Sequence, residues 1–96
     1  MITGKQRAYL KKLSHGVKPL LQIGKNGITP GLIEQVDALL EDHELVKIHL
    51  LQNTELTPKE AGDVLTEALD AEFVQAIGSK LTIFRPSEEN PRIELE

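Results

Sequence analysis

The segment Gly24-Lys25-Asn26-Gly27 combines residue types that are well suited to hold a phosphate group. Glycine allows a backbone to approach a ligand closely, lysine carries a positive charge, and asparagine offers hydrogen-bond donors and an acceptor. The segment lies between a predicted strand and the start of a predicted helix, where free N–H groups and the helix dipole favour anions. The Gly-x-x-Gly spacing by itself is a weak signal, so a simple turn without a ligand stays an open alternative.

The charged residues divide the chain into two unlike parts. Residues 1–30 contain six basic residues and no acidic residue, whereas residues 31–96 contain five basic and fifteen acidic residues. Such asymmetry is typical of proteins that bind nucleic acid or another anionic surface. The alternative is that the basic part docks on the acidic remainder. The six basic residues are Lys5, Arg7, Lys11, Lys12, Lys18 and Lys25.

Residue patterns typical of enzymes and metal sites are scarce in this sequence. The chain has no cysteine, which excludes disulfides, thiolate zinc sites and cysteine nucleophiles. Its three histidines, His15, His43 and His49, lack metal-ligand spacing, and the HExxH, GxSxG and P-loop motifs are all absent. We therefore expect no catalytic residue, metal, cofactor or small-molecule substrate.

The hydrophobic pattern predicts seven elements in the order α-β-α-β-α-β-β. Each helix begins at a threonine that can act as N-cap, and two of these starts also match the capping box. These N-cap residues are Thr3, Thr29 and Thr57. Strands are predicted over residues 20–23, 45–51, 73–77 and 81–85, with Gly78-Ser79 as a hairpin turn. This order predicts an α/β fold, a two-layer α/β sandwich with a four-stranded mixed sheet.

The first predicted helix has two different faces. Gln6, Tyr9, Leu10 and Leu13 share one face, and the basic residues lie on the opposite arc. The basic arc consists of Lys5, Arg7, Lys11 and Lys12. If this helix packs beside the Gly-x-x-Gly loop, the lysines and the loop form one continuous surface for phosphates.

The length of 96 residues and mass of 10.7 kDa fit one small domain. We expect the domain to cover residues 1–87 and residues 88–96 to form a flexible acidic tail. No apolar run approaches the ~18 residues of a membrane span, and the N-terminus lacks a secretory signal. The expected location is the cytoplasm, without a membrane partner.

Five separated blocks of this sequence resemble the CRM domain, the chloroplast RNA splicing and ribosome maturation domain. More narrowly, they resemble the bacterial single-domain YhbY-like proteins. The similarity covers residues 2–87, and its blocks are residues 3–7, 19–29, 44–48, 74–78 and 84–86. Phe84 departs from the family pattern, in which tyrosine is common at this position.

The resemblance implies an RNA-binding module whose fold is similar to the C-terminal domain of translation initiation factor three. Bacterial members associate with precursors of the large ribosomal subunit, and plant members act in group II intron splicing. By the same resemblance, the family's loop corresponds to Gly24, Lys25, Asn26 and Gly27, and its basic helix to the first helix here. Lys47 and Arg85 correspond to two further basic positions of the family.

Taken together, the sequence predicts an RNA-binding protein without enzyme activity. Its expected partner is ribosomal RNA or a large-subunit precursor particle, held by its phosphate backbone during ribosome assembly. The alternative is a protein-interaction module whose basic N-terminal third docks on an acidic partner. The expected RNA-binding residues are Gly24, Lys25, Asn26, Gly27, Lys5, Arg7, Lys11, Lys12, Lys18, Lys47 and Arg85.

Overall fold

The structure, a computed structural model, describes residues 2–95 and contains the seven elements in the predicted order. The α/β fold class is confirmed, and the strand ends differ from prediction by one residue at most. The helices are α1 (Gly4–Ser14), α2 (Pro30–His43) and α3 (Pro58–Leu69). The strands are β1 (Leu21–Ile23), β2 (Leu45–Leu50), β3 (Glu72–Ile77) and β4 (Lys80–Phe84). None of the helices described is long and apolar enough to cross a membrane.

All three threonine caps form as predicted. The Thr3 hydroxyl accepts from the Gln6 backbone N–H at 3.1 Å, and the Gln6 side chain accepts from the Thr3 N–H at 2.9 Å. Thr57 closes the same reciprocal pair at the start of α3. The Thr29 hydroxyl accepts from the Leu32 N–H at 3.1 Å and so fixes the start of α2 directly after the loop. These local signals define where each helix begins.

The four strands form one mixed sheet in the order β1-β2-β4-β3. β1 is parallel to β2, while β4 is antiparallel to both β2 and β3. The C-terminal ends of β1 and β2 therefore lie at the same end of the sheet as the Gly78-Ser79 turn, and we call this end the loop end. The Leu50 N–H donates to the Ser79 carbonyl at 2.7 Å, which ties the turn to β2.

Helices α2 and α3 cover one face of the sheet, the helix face, with the larger part of the core. Its strand residues alternate along each strand, as in Val46, Ile48 and Leu50 of β2. Gly62 lets α3 lie close to the sheet, because a Cβ there would stand 2.6 Å from Phe73 Cδ2 and 2.8 Å from Leu81 Cδ1. These two layers are the predicted sandwich.

Helix α1 packs on the opposite face of the sheet and covers only part of it. Leu10 of α1 is buried there against Leu45, Val74 and Phe84. Tyr9 does not share the buried side of the helix, since it is 45% exposed. Ser14 is buried instead, because it lies one helical turn after Leu10 and its hydroxyl accepts from the Gln75 amide at 2.8 Å.

The C-terminal segment, residues 86–95, contains no helix or strand but is attached to the domain by hydrogen bonds. The buried Glu44 carboxylate accepts from the backbone N–H groups of Ser87, Arg92 and Ile93 at 2.8–2.9 Å. Burial alone would raise the pKa of Glu44, but these three donors outweigh it, so the pKa lies below its usual value. Flexibility of residues 88–96 stays a prediction; residues 1 and 96 lie outside the described part of the chain.

Candidate nucleic-acid interface

The Gly24–Gly27 loop stands where the sequence places it, between the end of β1 and the start of α2. The Gly27 N–H donates to the Gly24 carbonyl at 3.0 Å and closes the turn. The two glycines have different roles, because only Gly27 has a positive φ, of 66°. A Cβ at Gly24 would meet Asn53 Oδ1 and Leu51 Cδ1 at 3.5 Å, which is ordinary contact. The conformation of the loop therefore requires glycine at position 27 and not at position 24.

The loop and the first turn of α2 line an open groove of about 460 Å³. Every described residue that lines it is uncharged, so none of them places a carboxylate against an anion. The lining residues are Gln22, Gly24, Asn26, Gly27, Thr29, Gly31, Leu32 and Gln35. Three glycines and several amide or hydroxyl groups give this wall the chemistry of a backbone-binding surface.

The N-terminus of α2 offers fewer free donors than the sequence suggests. Pro30, its first residue, has no N–H, and the Leu32 N–H is taken by the Thr29 hydroxyl. The Ile33 N–H donates to the Thr29 carbonyl at 3.0 Å. The Gly31 N–H has no acceptor among residues 2–95, so it is the free donor of this first turn. The helix terminus therefore contributes one free N–H to the groove wall.

Five of the exposed lysines lie within residues 5–25. Lys25 is exposed on the loop and lines a second cleft, which it shares with Glu55. The other four of these five lie on α1 or in the segment that follows it, and none forms an ion pair within the described residues. They are Lys5, Lys11, Lys12 and Lys18. These side chains are available to external anions.

Three other basic residues expected at the interface make bonds inside the protein. Arg7 Nε donates to the Phe73 carbonyl at 3.0 Å, and Lys47 Nζ donates to the Ser14 carbonyl at 2.7 Å. Both acceptors are backbone carbonyls, and no carboxylate of residues 2–95 forms an ion pair with either side chain.

Arg85 differs from Arg7 and Lys47, because it forms a salt bridge with Asp37 at 2.7 Å and its side chain is only 19% exposed. It also donates to the Leu69 carbonyl at 3.2 Å. The cleft around it is rich in carboxylates that repel phosphate, namely Asp37, Glu41, Asp70, Glu88 and Glu89. A role of Arg85 in RNA contact stays a prediction from the resemblance. The carboxylates around it set this cleft apart from the basic surface of residues 5–25.

The condition for one continuous surface, that α1 packs beside the loop, is not met, because α1 does not lie on the same face of the sheet as α2. The first turn of α1 is near Glu72, whose carboxylate accepts from the Ile2 N–H at 3.1 Å. Its last turn contacts Lys47 and Gln75 through Ser14. The sheet itself therefore separates the α1 lysines from the loop groove.

Sequence reasoning expected Lys47 at the interface but missed the other polar residues on the sheet face next to the end of α1. His15, Lys47, Gln75 and Lys80 line a cleft of about 400 Å³ there, together with part of the β3–β4 turn. The alternation of β4 already indicated this polar surface, because it places Lys80 and Thr82 on one face of the strand and the apolar Leu81 and Ile83 on the other. Their cross-strand neighbours follow from the register, which the sequence did not reveal.

Known proteins similar to this chain carry RNA-binding names. A Bacillus subtilis protein, "Probable RNA-binding protein YqeI", is 36% identical over 95 residues, which cover 99% of each chain. A Haemophilus influenzae protein named "RNA-binding protein" is 33% identical over 88 residues, which cover 92% of this chain and 89% of that one.

A solution structure of a hypothetical protein from Staphylococcus aureus, described as a candidate RNA-binding protein, matches this fold. It has a TM-score of 0.83 and 49% sequence identity, and the match covers 100% of both chains. The CRS1 / YhbY (CRM) domain matches residues 2–85. With this match over nearly its whole length, the chain belongs to the CRS1 / YhbY (CRM) domain family.

Proposed function

We propose that this protein binds RNA by its phosphate backbone, at the groove beside the Gly24–Gly27 loop and on the exposed lysines of residues 5–25. The observation that carries the proposal is the uncharged groove wall. It contains three glycines, and its loop belongs to residues 1–30, the basic part of the chain that has no acidic residue. Names of the relatives support RNA as the ligand. We propose ribosomal RNA, or a precursor of the large ribosomal subunit, as the target in the cytoplasm, with no cofactor.

Recognition would depend on the shape of the RNA more than on stacking with its bases. The chain has one tyrosine and two phenylalanines, and Phe84 is buried. Phe73 is half-buried in the core under α3. Tyr9 is the exposed aromatic residue, next to Lys5 on α1. Backbone contacts position an RNA without reading its sequence, so the shape of the RNA backbone, more than its base sequence, is expected to decide affinity.

The salt dependence of binding tests the backbone mechanism directly. Contact with four or five phosphates predicts a slope of about −3 to −4 in a plot of log affinity against log salt concentration. The measurement is fluorescence anisotropy with labelled large-subunit RNA fragments over a series of KCl concentrations. An affinity that does not change with salt contradicts the proposal.

A charge reversal on the proposed surface tests the residues. The double variant Lys25→Glu, Lys12→Glu should weaken binding by at least about tenfold and leave the fold intact, because both side chains are exposed. Lys59→Glu is the control, since Lys59 is exposed on α3 and lies outside the proposed surface. It changes the net charge by half as much as the double variant does, so a control that loses half as much in log affinity would show that net charge alone governs binding.

The cellular target is tested by sucrose-gradient fractionation of lysate in low and high salt. Migration with large-subunit or precursor particles that is lost in high salt supports ribosomal RNA as the target. A protein that stays at the top of the gradient, and purifies without absorbance at 260 nm, would instead favour the acidic protein partner.

A further inference from the structure

A row of four residues crosses the sheet near its loop end. The register pairs Gln22 of β1 with His49 of β2, His49 with Lys80 of β4, and Lys80 with Ile77 of β3. We call these four positions the cross-strand row. With strands about 4.8 Å apart, the row spans about 14 Å.

The row is on the face of the sheet that α1 only partly covers. Leu81 of β4 and Ile48 of β2 pack into the helix-face core, so their chain neighbours Lys80 and His49 point to the other face. Helix α1 reaches as far as Lys47 and Gln75, which Ser14 holds by hydrogen bonds, and stops there. Beyond this point Ile77 is 64% exposed.

The charge at this part of the face is positive. Among the described residues, the cleft between the end of α1 and the β3–β4 turn is lined by three basic side chains and by no carboxylate. These basic residues are His15, Lys47 and Lys80. Ion pairs within the described residues neutralise neither lysine. An acid-free wall is notable in a protein whose residues 31–96 contain fifteen acidic residues, and it fits a polyanion.

The row connects the two parts of the surface that the fold keeps apart. Gln22, at one end, also lines the groove beside the Gly24–Gly27 loop. Lys80 and Ile77, at the other end, line the cleft that contains His15, the residue that caps the C-terminus of α1. A strand of RNA that leaves the groove along the row therefore meets the basic end of α1.

We propose that the cross-strand row is a second RNA-contact surface, which carries single-stranded RNA from the loop groove across the sheet to the C-terminal end of α1. Lys80 and His49 contact phosphate or sugar, and the exposed Ile77 packs against a base. The inference rests on the proposed function and adds to it the path and the class of RNA, a single strand that continues past the loop.

The test is a comparison of RNA lengths. A strand of about four nucleotides fills the groove, whereas one of about ten also reaches across the ~14 Å of the row. The wild-type protein should bind the longer strand more tightly. In the double variant His49→Ala, Lys80→Glu, affinity for the longer strand should fall about tenfold and the salt slope should become less steep by about one. Affinity for the shorter strand should change less than about twofold.

Two measurements keep this result interpretable. Lys59→Glu, which also replaces one lysine by glutamate but lies on α3, should bind both strands as the wild type does. In the unmodified protein, the ten-nucleotide strand should shift the backbone amide NMR signals of Ile77 and Lys80, and the four-nucleotide strand should not.

The outcomes separate this inference from the proposed function. If the row variant binds both strands like the wild type, or loses both equally, the row is not a second contact surface, although the groove proposal stands. If the wild type binds neither strand but binds the labelled large-subunit RNA fragments, the single-strand path is wrong and the proposed function stands. If it binds none of these RNAs, both proposals are wrong. If the signals of Ile77 and Lys80 do not move, the RNA takes another path.

Discussion

The two faces of the sheet are made from alternating residues of the same strands, yet they are completed differently. On the helix face, α2 and α3 cover an apolar surface from one end to the other. On the opposite face, which we call the open face, α1 and the C-terminal segment cover Leu45 and Phe84. Lys47 and His49 are only partly covered there. The helix face holds the larger part of the core, and the uncovered part of the other face is free to carry charge and bind a partner.

Neighbouring residues of β2 provide the largest contrast between the faces. Ile48→Ala should lower the free energy of unfolding by about 2–5 kcal/mol, because Ile48 is fully buried under the helices. His49→Ala, one residue further, should change it by no more than about 0.5 kcal/mol. Urea unfolding followed by circular dichroism measures both. Similar losses for the two variants would mean that the open face also supports the fold.

The close packing of α3 on the helix face gives the next effect. Gly62→Ala should cost about 1–3 kcal/mol, because the added methyl group overlaps the Phe73 ring and Leu81 and forces both to shift. Gly4→Ala in α1 is the matched control, since nothing lies within 4 Å of its Cβ position. Thermal unfolding of the two variants should therefore separate clearly, and equal melting temperatures would show that α3 can move away from the sheet at little cost.

Local features of this fold could be predicted from sequence, and contacts between distant residues could not. The caps at Thr3, Thr29 and Thr57 depend on residues three positions away, so their signals are complete within a short segment. The role of Glu44 depends on backbone groups 43 to 49 residues further along the chain. No pattern around Glu44 distinguishes it from the exposed acids of α2.

The candidate site shows the same division. The position of the loop followed from its flanking strand and helix, and the exposure of the lysines followed from the periodicity of α1. The salt bridge of Arg85 with Asp37 joins residues 48 positions apart, and it could not be foreseen. The burial of Ser14 in place of Tyr9 depends on which side of α1 meets the sheet. The periodicity of the sequence determines the rotation of a helix about its axis only to within about one residue, and tertiary packing decides the rest.

Glu44 links the open face to pH, since its donors come from the C-terminal segment that covers this face. Its pKa is lowered in the folded protein, so its stabilising effect is fully present above the usual value of 4.5 and is lost as pH falls through the folded pKa. Glu44→Gln should lower the free energy of unfolding at pH 7 by about 1–3 kcal/mol and flatten its decline below pH 5.

Urea unfolding at a series of pH values measures this effect. Glu34→Gln removes one negative charge from the surface of α2, the helix that ends just before Glu44, and controls for net charge. A variant that keeps the full wild-type decline in acid would show that other carboxylates, such as Glu41, hold the C-terminal segment in place.

The smallest effect on stability is expected in the groove wall, where a substitution should change RNA affinity without destabilising the fold. Gly31 lies in the first turn of α2, and the nearest atom to its Cβ position is Thr29 Oγ1 at 3.9 Å. Gly31→Glu should leave stability unchanged or raise it by up to about 1 kcal/mol, because glutamate favours a helix more than glycine does and its charge complements the helix dipole. The same carboxylate introduces a negative charge into a wall that has none.

RNA affinity of Gly31→Glu should therefore fall by about tenfold although the protein becomes no less stable. Gly31→Gln is the matched control, since it adds the same bulk without the charge and should lose much less affinity. Anisotropy titrations and thermal unfolding on the same preparations measure both quantities. If glutamate and glutamine weaken binding equally, the groove excludes bulky side chains by size, and phosphate is not its ligand. If neither substitution weakens binding, RNA binds elsewhere on the open face, and the loop is only the turn that connects β1 to α2.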